Sequence, residues 1–135
     1  MLKNTEKYEA IPARLNQIGS VLVDCAFKVH KALGPGLLEK VYEVCLEHEL
    51  KKQGMQVERQ VVLPINYDGL IFEEGLRLDL LVEDSVICEL KAVDIVNLVW
   101  KAQVLSHLRL TNRRLGYLIN FNVKNIGRGT TRIVN

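Results

Sequence analysis

The stretch RLDLLVEDSVICELKA, residues 77–92, constrains the fold more than any other part of the chain. Two apolar runs meet at Glu83-Asp84-Ser85, a turn signal, so the stretch predicts a hairpin. Charges interrupt both runs. Asp79 stands between Leu78 and Leu80, and Glu89 and Lys91 flank Leu90. Side chains alternate along a strand, which puts Glu89 and Lys91 on one face, about 7 Å apart along the chain. The hairpin brings Asp79 alongside Glu89. Two carboxylates forced together repel, and burial raises the cost. Lys91 could neutralise one of them in a structural salt bridge. Alternatively, a divalent cation could sit between them, since Mg²⁺ takes oxygen ligands from one or two carboxylates and completes its shell with water and phosphate. A lysine beside such an ion suits phosphodiester hydrolysis.

The remaining elements assemble around this hairpin. Apolar residues at Ile18, Val21, Leu22, Cys25, Ala26, Val29 and Leu33 have helical spacing, and Gly34-Pro35-Gly36 ends the helix. A second helix runs from Leu37 to Gln53, with Lys40, Glu43, Glu47 and Lys51 as its solvated side. Glu39 lies off that side, in the stripe of Leu46 and Leu50. By pattern alone it is either a boundary acid complementing the helix dipole or part of a site. Val57–Tyr67 and Leu70–Val82 read as strands joined at Asp68-Gly69, with a bend or bulge at Gly75, and Val86–Ala92 as a third. Asp94 is placed to cap a helix with apolar positions Ile95, Leu98, Val99, Ala102 and Leu105. Leu115–Phe121 reads as a buried strand, with a short one at Thr131–Val134. The order ααβββαβ, with that possible last strand, predicts a mixed α/β sheet in which the third helix crosses between strands. At 135 residues the chain suits one domain over 1–135, with 1–15 as a loosely ordered tail.

No apolar run is long enough for a membrane helix, and MLKNTEKYEA lacks the apolar region of a signal peptide, so the cytoplasm is the expected compartment. The three cysteines read as reduced core residues. Cys45 and His48 form a C-x-x-H pair, two ligands short of a structural zinc site. Charge is unevenly spread. Residues 95–135 hold no acid but seven bases: Lys101, Arg109, Arg113, Arg114, Lys124, Arg128 and Arg132. Such asymmetry fits an anionic partner, or a basic surface that serves solubility.

Taken together, Gly36, Glu39 and Tyr42 in GPGLLEKVYE, the stretch GMQVERQVVLPINYDG, Asp79 in RLDLLVED, Glu89 and Lys91 in ICELKA, Gln103 in KAQVLSHL, and LGYLINF resemble the GxxExxY proteins, a family of the PD-(D/E)XK nuclease superfamily. The resemblance runs from Ile18 to Phe121. It implies a restriction-endonuclease-like core, a central mixed sheet flanked by helices, and a metal-dependent nuclease acting on DNA ahead of RNA. It implies that Asp79, Glu89 and the Leu90 carbonyl bind Mg²⁺ or Mn²⁺, with Glu39 joining directly or through water. Lys91 would orient or activate water, and Gln103 would steady Lys91 or the substrate. His107, one turn after Gln103 where such proteins often carry Tyr, is expected to play a structural part. Lys101, Arg109, Arg113 and Arg114 are expected to contact the nucleic acid, and a homodimer is plausible for so small a domain. The competing readings are a nucleic-acid-binding module without turnover, and an interaction protein whose acidic cluster is structural.

Overall fold

The computed structural model describes residues 9–135. Helix α1 spans Ala13–Leu33 and buries Ile18, Leu22, Cys25, Ala26 and Val29, the stripe expected from its spacing. The last three residues of the expected tail thus form its first turn, and residues 1–8 of that tail lie outside the described residues. Gly34 and Gly36, both at positive φ, turn the chain into α2, Glu39–Lys52. Strands β1, Val57–Tyr67, and β2, Leu70–Val82, form a long antiparallel hairpin. Its tip, Asp68-Gly69, has φ 50° and 83°, the two positive values a tight hairpin turn requires. Strand β3, Val86–Lys91, pairs antiparallel with β2. Helix α3, Leu98–Leu110, then crosses over to β4, Leu115–Asn120, which runs parallel to β3. Strand β5, Thr130–Val134, closes the sheet in the order β1-β2-β3-β4-β5.

Helices α1 and α2 cover one face of the sheet with a core around Leu22, Tyr42, Leu46, Cys88 and Leu90. Helix α3 covers the other with Val104 and Leu108 against Leu78, Ile87 and Leu118. The mixed sheet and its crossover are therefore as the element order predicts. Gly116 sits under α3, where an added Cβ would lie 3.1 Å from Val104 Cγ1, so a larger residue would push the helix side chain back by a few tenths of an ångström. Gly75 lies where the β1–β2 register shifts: a step of two residues on β1, from Leu63 to Ile65, faces a step of four on β2, from Leu76 to Phe72. The expected bulge is there.

Two details differ from the sequence reading. Glu43 is not on a solvated face. It is 4% exposed, because Arg59 and Gln60 of β1 fold over it, donating to its two carboxylate oxygens at 3.0 and 2.7 Å. Single-helix periodicity carries no information about a cationic strand docking on that side. The start of α3 also shifts. Asn97, not Asp94, caps it by accepting from Val99 N at 2.9 Å, and Ile95, Leu98 and Val99 are exposed. The core face falls instead on Val104 and Leu108, and Asp94 accepts from Asn122 Nδ2.

The sheet opens at one level. Pairing of β2 with β3 covers only Leu80–Val82, whereas β1 pairs with β2 along its whole length. Residues 61–78 therefore continue as a two-stranded arm past the end of the β2–β3 pairing. At the fork, Gln60 on β1 holds φ 55°, and Asp79 lies opposite it, between the Arg59–Leu80 and Val61–Leu78 pairs.

Candidate active site

The regular β2–β3 ladder stops at Leu80–Cys88, and the next two residues pair through their side chains. Asp79 N donates to Glu89 Oε2 at 2.7 Å, and Leu90 N donates to Asp79 Oδ2 at 2.9 Å. Each carboxylate thus replaces a carbonyl of the ladder, which holds both acids at the point where the strands part. One oxygen of each is fixed by the backbone. Asp79 Oδ1 and Glu89 Oε1 have no donor among the described residues and are not sealed from solvent. Both open on a polar cavity of about 730 Å³ that is also lined by Glu39, Lys91, Gln103 and His107.

The electrostatics follow from this crowding. Burial, and then the charge of Asp79, push Glu89 up to about 8, against the opposing pull of the Asp79 N–H and Lys91. Glu39 is raised by the same two causes, burial first and Asp79 second. No carboxylate lies within ion-pair distance of Lys91 among the described residues, so the simple salt bridge that the strand pattern allowed is not formed. Instead Lys91 Nζ stands over the Trp100 ring, 4.5 Å from its centroid. A cation is held there by the ring quadrupole without being neutralised. No three His, Cys, Asp or Glu side chains of the described residues are grouped to enclose an ion alone, and Cys45 and His48 gain no further ligand.

Glu39 enters the site through the local chemistry of its helix. Two residues after Gly36, the N-cap Leu38 starts α2, and Glu39 is its first residue. Tyr42, three residues on, is fully buried. Its hydroxyl donates to Gly34 O at 2.7 Å and accepts from Leu37 N at 3.0 Å, and its ring stacks on Phe121 at 4.6 Å. Glycine, glutamate and tyrosine at spacing three thus form a device: a turn, an acid at the helix start, and an anchor fixing both to the sheet.

A family model of the PD-(D/E)XK nuclease superfamily matches residues 16–133. The chain belongs to that superfamily. No curated protein and no solved structure gives a significant match. The five-stranded mixed sheet with helices on both faces agrees with a restriction-endonuclease-like fold.

Within this superfamily member, Asp79, Glu89, Lys91, Glu39 and Gln103 come together at one cavity. The basic residues of the last third do not. Lys101 and Arg109 are exposed on α3. Arg113 is bound to the carbonyl and carboxylate of Asp84, and Arg114 to Asn135 O and Glu9 O. Arg113 and Asp84 mark the turn end of the β2–β3 hairpin, and the length of β3, about 17 Å by strand rise, separates them from Lys91. His107 is closer to the site than expected. It is 8% exposed, and its Nδ1 is 4.0 Å from Glu89 Oε1 with no hydrogen-bond partner. Burial holds its pKa below the usual histidine range. Sequence reasoning missed two residues. Trp100 was hidden by the wrong helix phase at Ile95–Val99. Asn120, 2% exposed, bonds both the N–H and the carbonyl of Val93 and so fixes the chain leaving Lys91. An asparagine ending an apolar strand was its only signal.

Proposed function

We propose that this protein is a divalent-metal-dependent nuclease of the GxxExxY type, which hydrolyses phosphodiester bonds, of DNA ahead of RNA. The observation that carries the proposal is the fork itself: two backbone-anchored carboxylates, each with one free oxygen, beside an unneutralised lysine.

The donor set fits Mg²⁺ or Mn²⁺. It is all oxygen: Asp79, Glu89 and Glu39 line the cavity, and they would hold the ion, Glu39 directly or through water, with the Leu90 carbonyl that the family resemblance adds. The raised Glu89 supports the fit, since an unscreened acid pair needs a proton or a cation. A divalent cation held there supplies Lewis acidity to the phosphoryl oxygens and lowers the pKa of a bound water. The chain's own groups do the rest. Lys91 orients the attacking water and meets charge developing on the phosphate, work that needs an ammonium unpaired in the resting protein. Trp100 keeps that ammonium in place. Gln103, exposed on α3 at the same cavity, steadies Lys91 or the substrate. Lys101 and Arg109 are free to meet phosphates further along the strand. The whole chain acts as one domain, and a homodimer is compatible with its size.

A panel of labelled DNA and RNA structures incubated with Mg²⁺ or Mn²⁺ tests the proposal. Cleavage that needs the metal and stops on chelation is the expected result. Nucleic-acid binding with no turnover of any substrate would support the binding-module alternative.

A further inference from the structure

Beside the catalytic cavity lies a second cleft of about 560 Å³, walled by Ile65, Leu76, Val99, Trp100 and Leu110. The two cavities share Gly75, Leu76, Gln103 and His107. Lys91 lines only the catalytic cavity and Trp100 only the apolar cleft, yet Lys91 lies over the Trp100 ring. Trp100 thus links the two: it borders the apolar cleft, and its ring carries the ammonium of a residue that lines the catalytic cavity. We infer that this cleft receives an unstacked nucleobase next to the phosphate being cut, so that the substrate is a single strand or carries an unpaired nucleotide at the cut. The inference rests on the nuclease reading above.

Three observations commit the cleft to this occupant. First, continuity: the cleft adjoins the cavity that holds the acid pair, because Gly75, Leu76, Gln103 and His107 line both. Second, chemistry: apolar walls with an indole suit the face of a base, and at the rim Gln103 and Ser106 have no side-chain hydrogen-bond partner among the described residues and can meet its edge. Aromatic stacking accepts any base. Third, charge: the arm that runs past the site, residues 61–78, carries Asp68, Glu73 and Glu74 against the single base Arg77. That surface offers phosphates no attraction, whether of one strand or two, so contacts to bases must carry the hold on the substrate there. A base pair stacked within a duplex cannot enter the cleft, whereas an unpaired nucleotide pays little to leave its stack.

The test uses wild type, Trp100→Phe and Trp100→Leu with Mn²⁺. The substrates are a labelled single-stranded DNA, the same strand as a blunt duplex, and single strands with an abasic site on either side of the cut. Wild type should cleave the single strand faster than the duplex and lose on the order of ten- to a hundredfold in kcat/KM on one abasic strand. Trp100→Leu should be slower on every strand, because Lys91 loses its support, but should show almost no further abasic penalty. Trp100→Phe should keep most of that penalty. Trp100 is the sole tryptophan, so its emission reports occupancy directly. It should change on adding the single strand and not the duplex. Preference for the duplex, or equal abasic penalties in wild type and Trp100→Leu, overturns the cleft reading while the nuclease stands. A strand-specific emission change with no cleavage supports the cleft and overturns the nuclease.

Discussion

Glu89→Gln should remove a pH-dependent weakness of the metal-free protein. Glu89 has a side chain 13% exposed, and its pKa rises from 4.5 to about 8 through burial and the neighbouring Asp79 charge. Between these values the folded chain keeps a proton that the unfolded chain gives up. Stability from this group is therefore full below about pH 4.5 and is lost as pH rises to 8. Each pH unit inside the window costs up to ~1.4 kcal/mol, giving a ceiling of about 4–5 kcal/mol. Water in the open cavity screens the pair, so roughly half that loss, about 2 kcal/mol, is the expected scale. That is still a large share of the ~5–15 kcal/mol that typically separates folded from unfolded. Glutamine keeps an acceptor for Asp79 N and cannot ionise. His107, held low by burial, contributes with the opposite sign, gaining stability as pH rises toward its ordinary value of 6.5. Glu39, also raised, adds a loss of the same sign as Glu89; both groups are present in both proteins, so the difference between their curves reports Glu89 together with its coupling to these neighbours. Urea unfolding in chelator at pH 5, 6, 7 and 8 measures this. The wild-type curve should fall relative to Glu89→Gln by about 2 kcal/mol across the series. Parallel curves would refute the claim that Glu89 is a strained member of an acid pair.

Asp79→Asn in the metal-free state should melt at or above wild type, because one repelling charge is gone, yet it should gain little from Mn²⁺. Wild type at a hundredfold excess over Kd should gain about 2.7 kcal/mol, several degrees of melting temperature, and an equal gain in the mutant would exclude Asp79 as a ligand. Tyr42→Phe leaves Gly34 O and Leu37 N without their partner and should cost about 1–3 kcal/mol in chemical denaturation; a change within error would mean that water replaces the hydroxyl. Changing Lys101 and Arg109 to Ala should weaken nucleic-acid binding and flatten its salt dependence, while Arg113→Ala and Arg114→Ala, whose guanidiniums are bound to other groups, should leave the slope nearly unchanged. The reverse result would place the nucleic-acid path at the far end of the sheet.

The parts of the fold that depend on local pattern were legible in the sequence. The apolar stripe of α1, the Asp68-Gly69 hairpin, the bulge at Gly75 and the continuous apolar run of β4 all carry their own signals. So did the fork, because three charges inside two strands demand an explanation. What stayed hidden depends on contacts between elements distant in sequence. Glu43 looks solvated until Arg59 and Gln60 arrive from β1. The α3 phase was misread because Ile95, Leu98 and Val99 mimic a core stripe but stay exposed. That error concealed Trp100 and with it the contact that holds Lys91. The arginines looked like one patch because they are close in sequence, and two of the three are tied to Asp84, Glu9 and Asn135 instead.

The central claim is that Lys91 acts on the reacting phosphate rather than stabilising the fold. It is tested most directly by comparing wild type with Lys91→Ala, on the best substrate of the panel with saturating Mn²⁺, alongside thermal melts of both. A positioned charge of this kind is worth on the order of a hundredfold or more in rate. Lys91→Ala should lose at least that much cleavage while its melting temperature, with and without Mn²⁺, stays within a few degrees of wild type. Cleavage within tenfold of wild type in the folded variant would contradict the account.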